Sequence, residues 1–351
     1  MAEFDFGAEL EVGTDIQAPD RFHSRSRIVS VINAKGGVGK TTLTYHLAMA
    51  LGLWHKAKVL LLDMDFQCNL TWLFCREDKL YYHLDSHRSE TLFQFFWGFD
   101  PVKAARQDVT PWLVGTDLCD RVYLLPSHHH VIRLDSMMSR WVPAANRYRV
   151  LLDLLRANES LSDFDYILVD CPPGLTRLTL NALVASDCYL VPLGLDLLSV
   201  NGLLLTQKAF REYLQEVEKQ AFSFFLVHHP ELLGVLFPRV RYTPDEVPQE
   251  IFSEVERRAR ILFQEKVFEH HIRDDDAVLR AVAMKRPFFT LTSALDNPLV
   301  QDFRAVTDEF IARVEQLKAS DPTSSIGPEM VDGSSSQDSQ NIPEGAHEEL
   351  A

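Results

Sequence analysis

The run RIVSVINAKGGVGKTT, Arg27 to Thr42, leaves a chain few ways to fold. Ile28 to Asn33 is apolar and β-branched and ends in a glycine-rich turn, Gly36, Gly37, Val38 and Gly39. Lys40, Thr41 and Thr42 then open an amphipathic segment, Leu43 to Leu53. The pattern is strand, phosphate loop, helix. Glycines let backbone N–H groups converge on an anion where a side chain would block its approach. The helix start adds unpaired N–H groups and the positive end of its dipole. Lys40 is positioned to reach β- and γ-phosphates, and the Thr41 hydroxyl to ligate Mg²⁺.

The rest of the chain supports an α/β reading. Lys58–Asp63, Tyr166–Asp170, Cys188–Pro192 and Gly234–Phe237 are short, apolar and strand-like. Arg147–Arg156 and Gly202–Glu218 carry helical spacing. Strands buried on both faces, with helices between them, predict a doubly wound, mostly parallel sheet flanked by helices. Thr71–Ser160 resists assignment. It is aromatic (Phe93, Phe95, Phe96, Trp97) and contains His128, His129 and His130. Adjacent histidines on a loop are not expected to face one ion, and no Cys or carboxylate has ligand spacing to them, so the run is not read as a metal site.

Charge divides the chain. Residues 1–20 hold six acids and residues 319–351 hold seven, neither with Lys or Arg, so of the net charge of −15 only −2 belongs to residues 21–318. Three regions are expected: an acidic N-terminal segment 1–26, a phosphate-loop domain 27–318, and an acidic, Ser-rich, disordered tail 319–351. The five scattered cysteines include no CxxC pair, which argues for a reducing compartment and against a zinc ribbon. Without a leader-like or membrane-length apolar run, a cytoplasmic protein is expected.

Two further motifs sit at strand ends, where open α/β sheets bind ligands. Leu61–Asn69 reads LLDMDFQCN, with Asp63 and Asp65 flanking one residue. Asp165–Gly174 reads DYILVDCPPG, an apolar strand delivering Asp170, the arrangement that holds Mg²⁺. Cys171 has no evident base beside it and is read as a packing residue.

With Ala34 where the first glycine of an ordinary phosphate loop stands, and Lys35 after it, the chain resembles the deviant Walker A ATPases of the ParA/MinD family. Asp63, Asp65 and Gln67 match the family's DxDPQ, with Phe66 replacing proline. Val191–Leu203, Gly234–Val240, Val267–Phe289 (with Ile272-Arg273 in place of Ile-Pro) and Leu299–Leu317 extend the likeness over residues 27 to 318. The resemblance implies ATP and Mg²⁺ as cofactors. It implies that Asp65 orients the attacking water, that Asp63 helps organise Mg²⁺ and the loop, and that the Pro-Pro-Gly turn senses the γ-phosphate. Lys35 would join Lys40 and Asp65 in catalysis by reaching the triphosphate of a second subunit, with ATP sandwiched in a homodimer.

The expected function is a ParA-type switch ATPase for DNA partition or cargo positioning. A ParB-like or adaptor protein would stimulate hydrolysis, and DNA would bind non-specifically. The DNA-binding candidates are Arg239, Arg241, Arg273, Lys285 and Arg286, with Arg257, Arg258 and Arg260 nearby. Nucleoid association would follow from DNA binding. The alternatives are a MinD-like or other protein-cargo ATPase without DNA, and a ligase-like metabolic enzyme of the same superfamily. No membrane partner is expected, because the end SSSQDSQNIPEGAHEELA has no basic amphipathic face. Iron–sulfur carriage would need paired cysteines.

Overall fold

The computed structural model describes residues 26–75, 90–96, 108–142, 147–220, 229–243, 248–291 and 296–320. Residues 1–25 and 321–351, which hold most of both acidic ends, lie outside these, as does Trp97. The chain divides into two units, Met1–Val314 and Glu315–Ala351, and the sheet and the site belong to the first.

The first half runs β1 (Arg27–Val31), α1 (Lys40–Trp54), β2 (Val59–Asp63), α2 (Asn69–Phe74), α3 (Leu92–Phe96), β3 (Val114–Thr116), β4 (Cys119–Leu125), α4 (Val131–Trp141) and α5 (Val150–Ala157). The second runs β5 (Tyr166–Asp170), α6 (Arg177–Ala185), β6 (Cys188–Pro192), α7 (Leu197–Gln220), β7 (Glu231–Leu236), α8 (Glu250–Phe263), α9 (Asp276–Ala283) and α10 (Pro298–Ser320). The five strand-like runs of the sequence all become strands. One sheet orders the described strands β3-β4-β2-β5-β1-β6-β7, with every pairing parallel except β3 against β4. This is the doubly wound α/β architecture. The antiparallel β3–β4 pair lies in the unassigned stretch Thr71–Ser160, where β4 alternates burial and exposure at its start instead of forming a continuous apolar run.

Both faces of the central strands are covered. All five residues of β2 and all five of β6 are buried. Ile28, Leu60, Leu62, Ile167 and Val169 join one core with Leu151 and Leu154 of α5 and Leu180 and Leu183 of α6. Removing a side chain such as Leu60 down to alanine is expected to cost about 2–5 kcal/mol. The opposite face takes α1. A methyl group on Gly52 would stand 2.6 Å from Val122 and 2.8 Å from the Cys119 sulfur, so glycine lets helix and strand meet.

His46 fixes α1 from its other side. Its Nδ1 donates to the Thr42 carbonyl at 2.8 Å, and Nε2 accepts from the Phe288 amide at 3.3 Å. The Phe288 ring stacks on it at 5.3 Å. Only the neutral ring fits both bonds. Burial pulls its pKa down to about 4, and the Thr42 bond offsets this only in part.

Candidate nucleotide site

The strand ends bring the chemistry together. Asp170 of β5 is in register with Val31 of β1 on one side and with Asp63 of β2 on the other. The loop after β1 therefore leaves the sheet directly beside two carboxyl groups. Asn33 anchors it: its amide donates to the Pro192 carbonyl at 2.7 Å, while its oxygen accepts from the Lys35 amide at 2.8 Å. The sequence reading did not single out Asn33, whose role depends on β6 being the neighbour. Gly37 and Gly39 have φ of 76° and 89°, a region glycine enters without strain. Gly39 caps α1 with no side-chain hydrogen bond, which leaves the first amides of the helix open to an anion.

An open cleft of about 320 Å³ lies over this turn, lined at one end by Gly36, Gly37, Gly39, Lys40, Thr41 and Thr42. Lys40 is buried, and its ammonium lies 3.4 Å from the Lys35 carbonyl. Burial lowers its pKa against the opposing pull of Asp170 and Asp65. Thr41 donates from Oγ1 to Asp170 Oδ2 at 2.7 Å. The other Asp170 oxygen is buried and makes no hydrogen bond. Burial, then the neighbouring Asp63, raises the Asp170 pKa well above the carboxylate range. A divalent cation bound near Thr41, meeting Asp170 directly or through water, would satisfy that orphan oxygen, so these residues fit Mg²⁺.

The two acids of the DxDFQ loop part company. Asp63 Oδ2 accepts from both the Thr71 amide (2.8 Å) and the Thr71 hydroxyl (2.7 Å), and Oδ1 accepts from the Asp65 amide at 3.2 Å. It is fully buried and does not line the cleft, and burial raises its pKa to about 7. Its hydrogen bonds serve the loop, and of the two acids Asp63 and Asp170 it is Asp170 that carries a buried oxygen without a partner. Asp65 does line the cleft; its Oδ1 accepts from the Gln67 amide at 3.0 Å, and its carbonyl from the Cys68 amide at 2.9 Å. Those two bonds close the turn that a proline would otherwise stiffen, and leave Phe66 exposed.

Lys35 and Val38 do not line the cleft. The Lys35 ammonium lies 2.7 Å from Asp196 and 3.3 Å from the Ser199 hydroxyl. Partial burial pushes the Asp196 pKa up, but the Lys35 and Ser199 hydrogen bonds outweigh it and hold the carboxyl below its usual range. Cys171 is buried and its thiol pKa is raised by that burial, as suits a packing residue.

The far end of the cleft is lined by Pro238, Arg239, Ile272, Asp274, Val278 and Leu279. The Ile272 amide donates to the Phe237 carbonyl at 3.0 Å and the Val240 amide to the Ile272 carbonyl at 2.8 Å, so the segment runs along the end of β7. Most of the cations expected to meet DNA are engaged within the chain. Arg239 and Arg241 reach Asp274 at 3.0 and 3.4 Å, and Arg273 reaches Asp302 at 2.8 Å. Arg257 pairs with Glu254, and Arg260 with Glu256 and Glu269. Lys285 donates to the Cys75 carbonyl and sits over the Trp72 ring, and Arg286 lies near Tyr45. Arg239 and Arg273 face the cleft itself.

Fold and phosphate loop together define a P-loop nucleotide-binding protein. A family model described as an AAA domain matches residues 26–237. The chromosome partitioning protein ParA of Caulobacter vibrioides is 33% identical over 178 residues, 50% of this chain and 59% of that protein. The chain thus spans about three fifths of the curated relatives it matches. Among solved structures, apo McdA of Cyanothece has a TM-score of 0.61 at 21% identity, covering 81% of this chain and 99% of that one. The septum site-determining protein MinD of Pyrococcus horikoshii, complexed with Mg-ADP, has a TM-score of 0.55 at 21% identity, covering 83% and 98%. The chain belongs to the ParA/MinD family of P-loop ATPases. No helix among the described residues is long and apolar enough to cross a membrane.

Proposed function

We propose that the protein is an ATP-hydrolysing, dimerising switch of the ParA type that acts in partition or positioning of a cargo. Lys40, the loop amides and Mg²⁺ at Thr41 and Asp170 would neutralise the β- and γ-phosphates, while Asp65 positions water. Lys35 would complete the site of a second copy, which couples turnover to pairing and makes the γ-phosphate the switch. The observation that carries this reading is the contrast between the two lysines. Lys40 is buried at the phosphate end of its own cleft, whereas the Lys35 ammonium is half-exposed and held on Asp196.

Light scattering of the full chain with Mg-ATP tests it. A dimer that forms with ATP, is lost with ADP and is lost in Lys35→Ala is the expected result. ATP turnover by a Lys35→Ala monomer at the parent rate would leave only a self-contained nucleotide hydrolase.

The partition role, to which non-specific DNA and a ParB-like activator would belong, is supported by the likeness to the chromosome partitioning protein of Caulobacter. A protein-cargo role without DNA has its own support, because Arg239, Arg241 and Arg273 are ion-paired within the chain. The two separate by salt: DNA binding driven by phosphate contacts falls steeply as salt rises. ATP-dependent retention on DNA at low salt supports the first reading, and none supports the second.

A further inference from the structure

We propose that His128, His129 and His130 bind a divalent transition-metal ion of the zinc, cobalt or nickel class, at a site separate from that of Mg²⁺. The run follows β4 and enters α4. Its turn is wound tightly enough for the Val131 amide to reach the His128 carbonyl at 2.9 Å and the Arg133 amide to reach that of His130 at 2.8 Å. The three rings fold over this turn with centroids 4.1 to 4.4 Å apart. One ligand atom from each lies within 4.8 Å of the other two. From the sequence, adjacent histidines on a loop are not expected to face one ion; this turn brings the rings of three consecutive residues together.

The donor set selects the ion. Three imidazole nitrogens, with no carboxylate or thiolate in the group, suit zinc, cobalt or nickel and disfavour the oxygen-seeking Mg²⁺. Tetrahedral zinc holds its nitrogens at about 2.0–2.1 Å, which sets them about 3.4 Å apart. The rings free to close from 4.8 Å are the outer ones: His129 is exposed and His130 half-buried, while His128 is 1% exposed. The His130 amide donates to His128 Nδ1 at 3.2 Å, which fixes the His128 ring against the turn. The open side leaves room for water as the fourth ligand.

The surroundings hold the turn in place. The Leu92 amide donates to the Pro126 carbonyl at 2.8 Å, and the Phe93 ring meets the His130 ring edge-on at 5.5 Å. The Ser127 amide donates to the Thr71 hydroxyl at 2.9 Å, and that hydroxyl donates to Asp63. The metal site would thus stand two hydrogen bonds from the aspartate loop.

Equilibrium dialysis of the full chain tests the site, without a histidine tag, stripped with chelator and held in excess Mg²⁺ to occupy the oxygen site. The expected result is one tightly bound Zn²⁺ per chain and, with Co²⁺, a visible absorption band of tetrahedral character. Both are expected to disappear in His129→Ala and in His130→Ala, chosen because neither side chain is buried. Hydrogen exchange is expected to slow at residues 127–133 when Zn²⁺ is added to the parent chain. No bound Zn²⁺ in the parent, or the same binding in both variants, overturns the proposal. So does Zn²⁺ protection that appears only elsewhere in the chain.

Discussion

The two ends of the cleft are built on opposite plans. The phosphate end is made of backbone and short contiguous motifs: three glycines, Lys40, Thr41 and Thr42 from one turn, with Asp170 one strand away. Its charged groups are buried, so each missing counter-charge is felt at close to full strength. The far end is assembled from segments after β7, at the start of α9 and within α10, and its charges are paired with one another, Arg239 half-exposed and Arg273 less so. Water and neighbours already compensate those charges. The difference teaches that one end waits for an anion and a cation, while the other supplies shape.

Substitutions at the two ends should therefore differ in size. The largest effect is expected from Lys40→Ala, which removes the buried ammonium: calorimetry should record a loss of about 2–5 kcal/mol in Mg-nucleotide binding. Retention of parent affinity would break the comparison. The next belongs to His46, in the middle of α1. Its pKa lies at about 4 in the fold against 6.5 ordinarily, so its contribution is complete above pH 6.5 and is lost as pH falls from there towards 4. The amount is roughly 3 kcal/mol. Asp63, with its pKa raised to about 7, acts in the other direction, its contribution being lost as pH rises from the ordinary carboxylate range through 7. The His46 share is therefore read as the difference between the parent chain and His46→Asn in denaturant melts across that window, and parallel curves would refute it.

Asp170→Asn should come third. It keeps the bond from Thr41 but gives up the charge behind the orphan oxygen. Mg²⁺ titrations of nucleotide binding should shift by about 10–100-fold, with metal-free binding little changed. The smallest effect is expected at the far end. Asp274→Ala releases Arg239 and Arg241, whose side chains are 52% and 67% exposed. Screened pairs of this kind contribute about 0–1 kcal/mol, so stability should move within that range. A loss of several kcal/mol would sharpen the picture by making Asp274 a member of the site.

How much was legible follows from the same contrast. The phosphate loop, Thr41 and Asp170 could be read because each motif carries its own geometry along a few consecutive residues. Asp65 and Asp63 could be picked out, and the resemblance gave them different roles, but what ties Asp63 into the loop could not be read: that depends on Thr71, eight residues on, turning both donors toward Asp63. Asn33 and Asp196 escaped notice because their partners, Pro192 and Lys35, lie 159 and 161 residues away. The sheet's order likewise rests on pairing that no local pattern encodes, and the β3–β4 pair was hidden by its mixed burial.

From its sequence alone this chain is committed to a strand–glycine turn–helix that grips phosphate, because φ freedom, helix dipole and a lysine at fixed spacing are properties of neighbours along the backbone. Only the tertiary structure decides which acid lines the cleft and which is tied to Thr71, where Lys35 rests, and that three consecutive histidines converge. Those outcomes depend on burial and on distances between residues far apart in the chain or wound into one turn, and a carboxylate, an ammonium or an imidazole acquires its chemistry from what it is buried against.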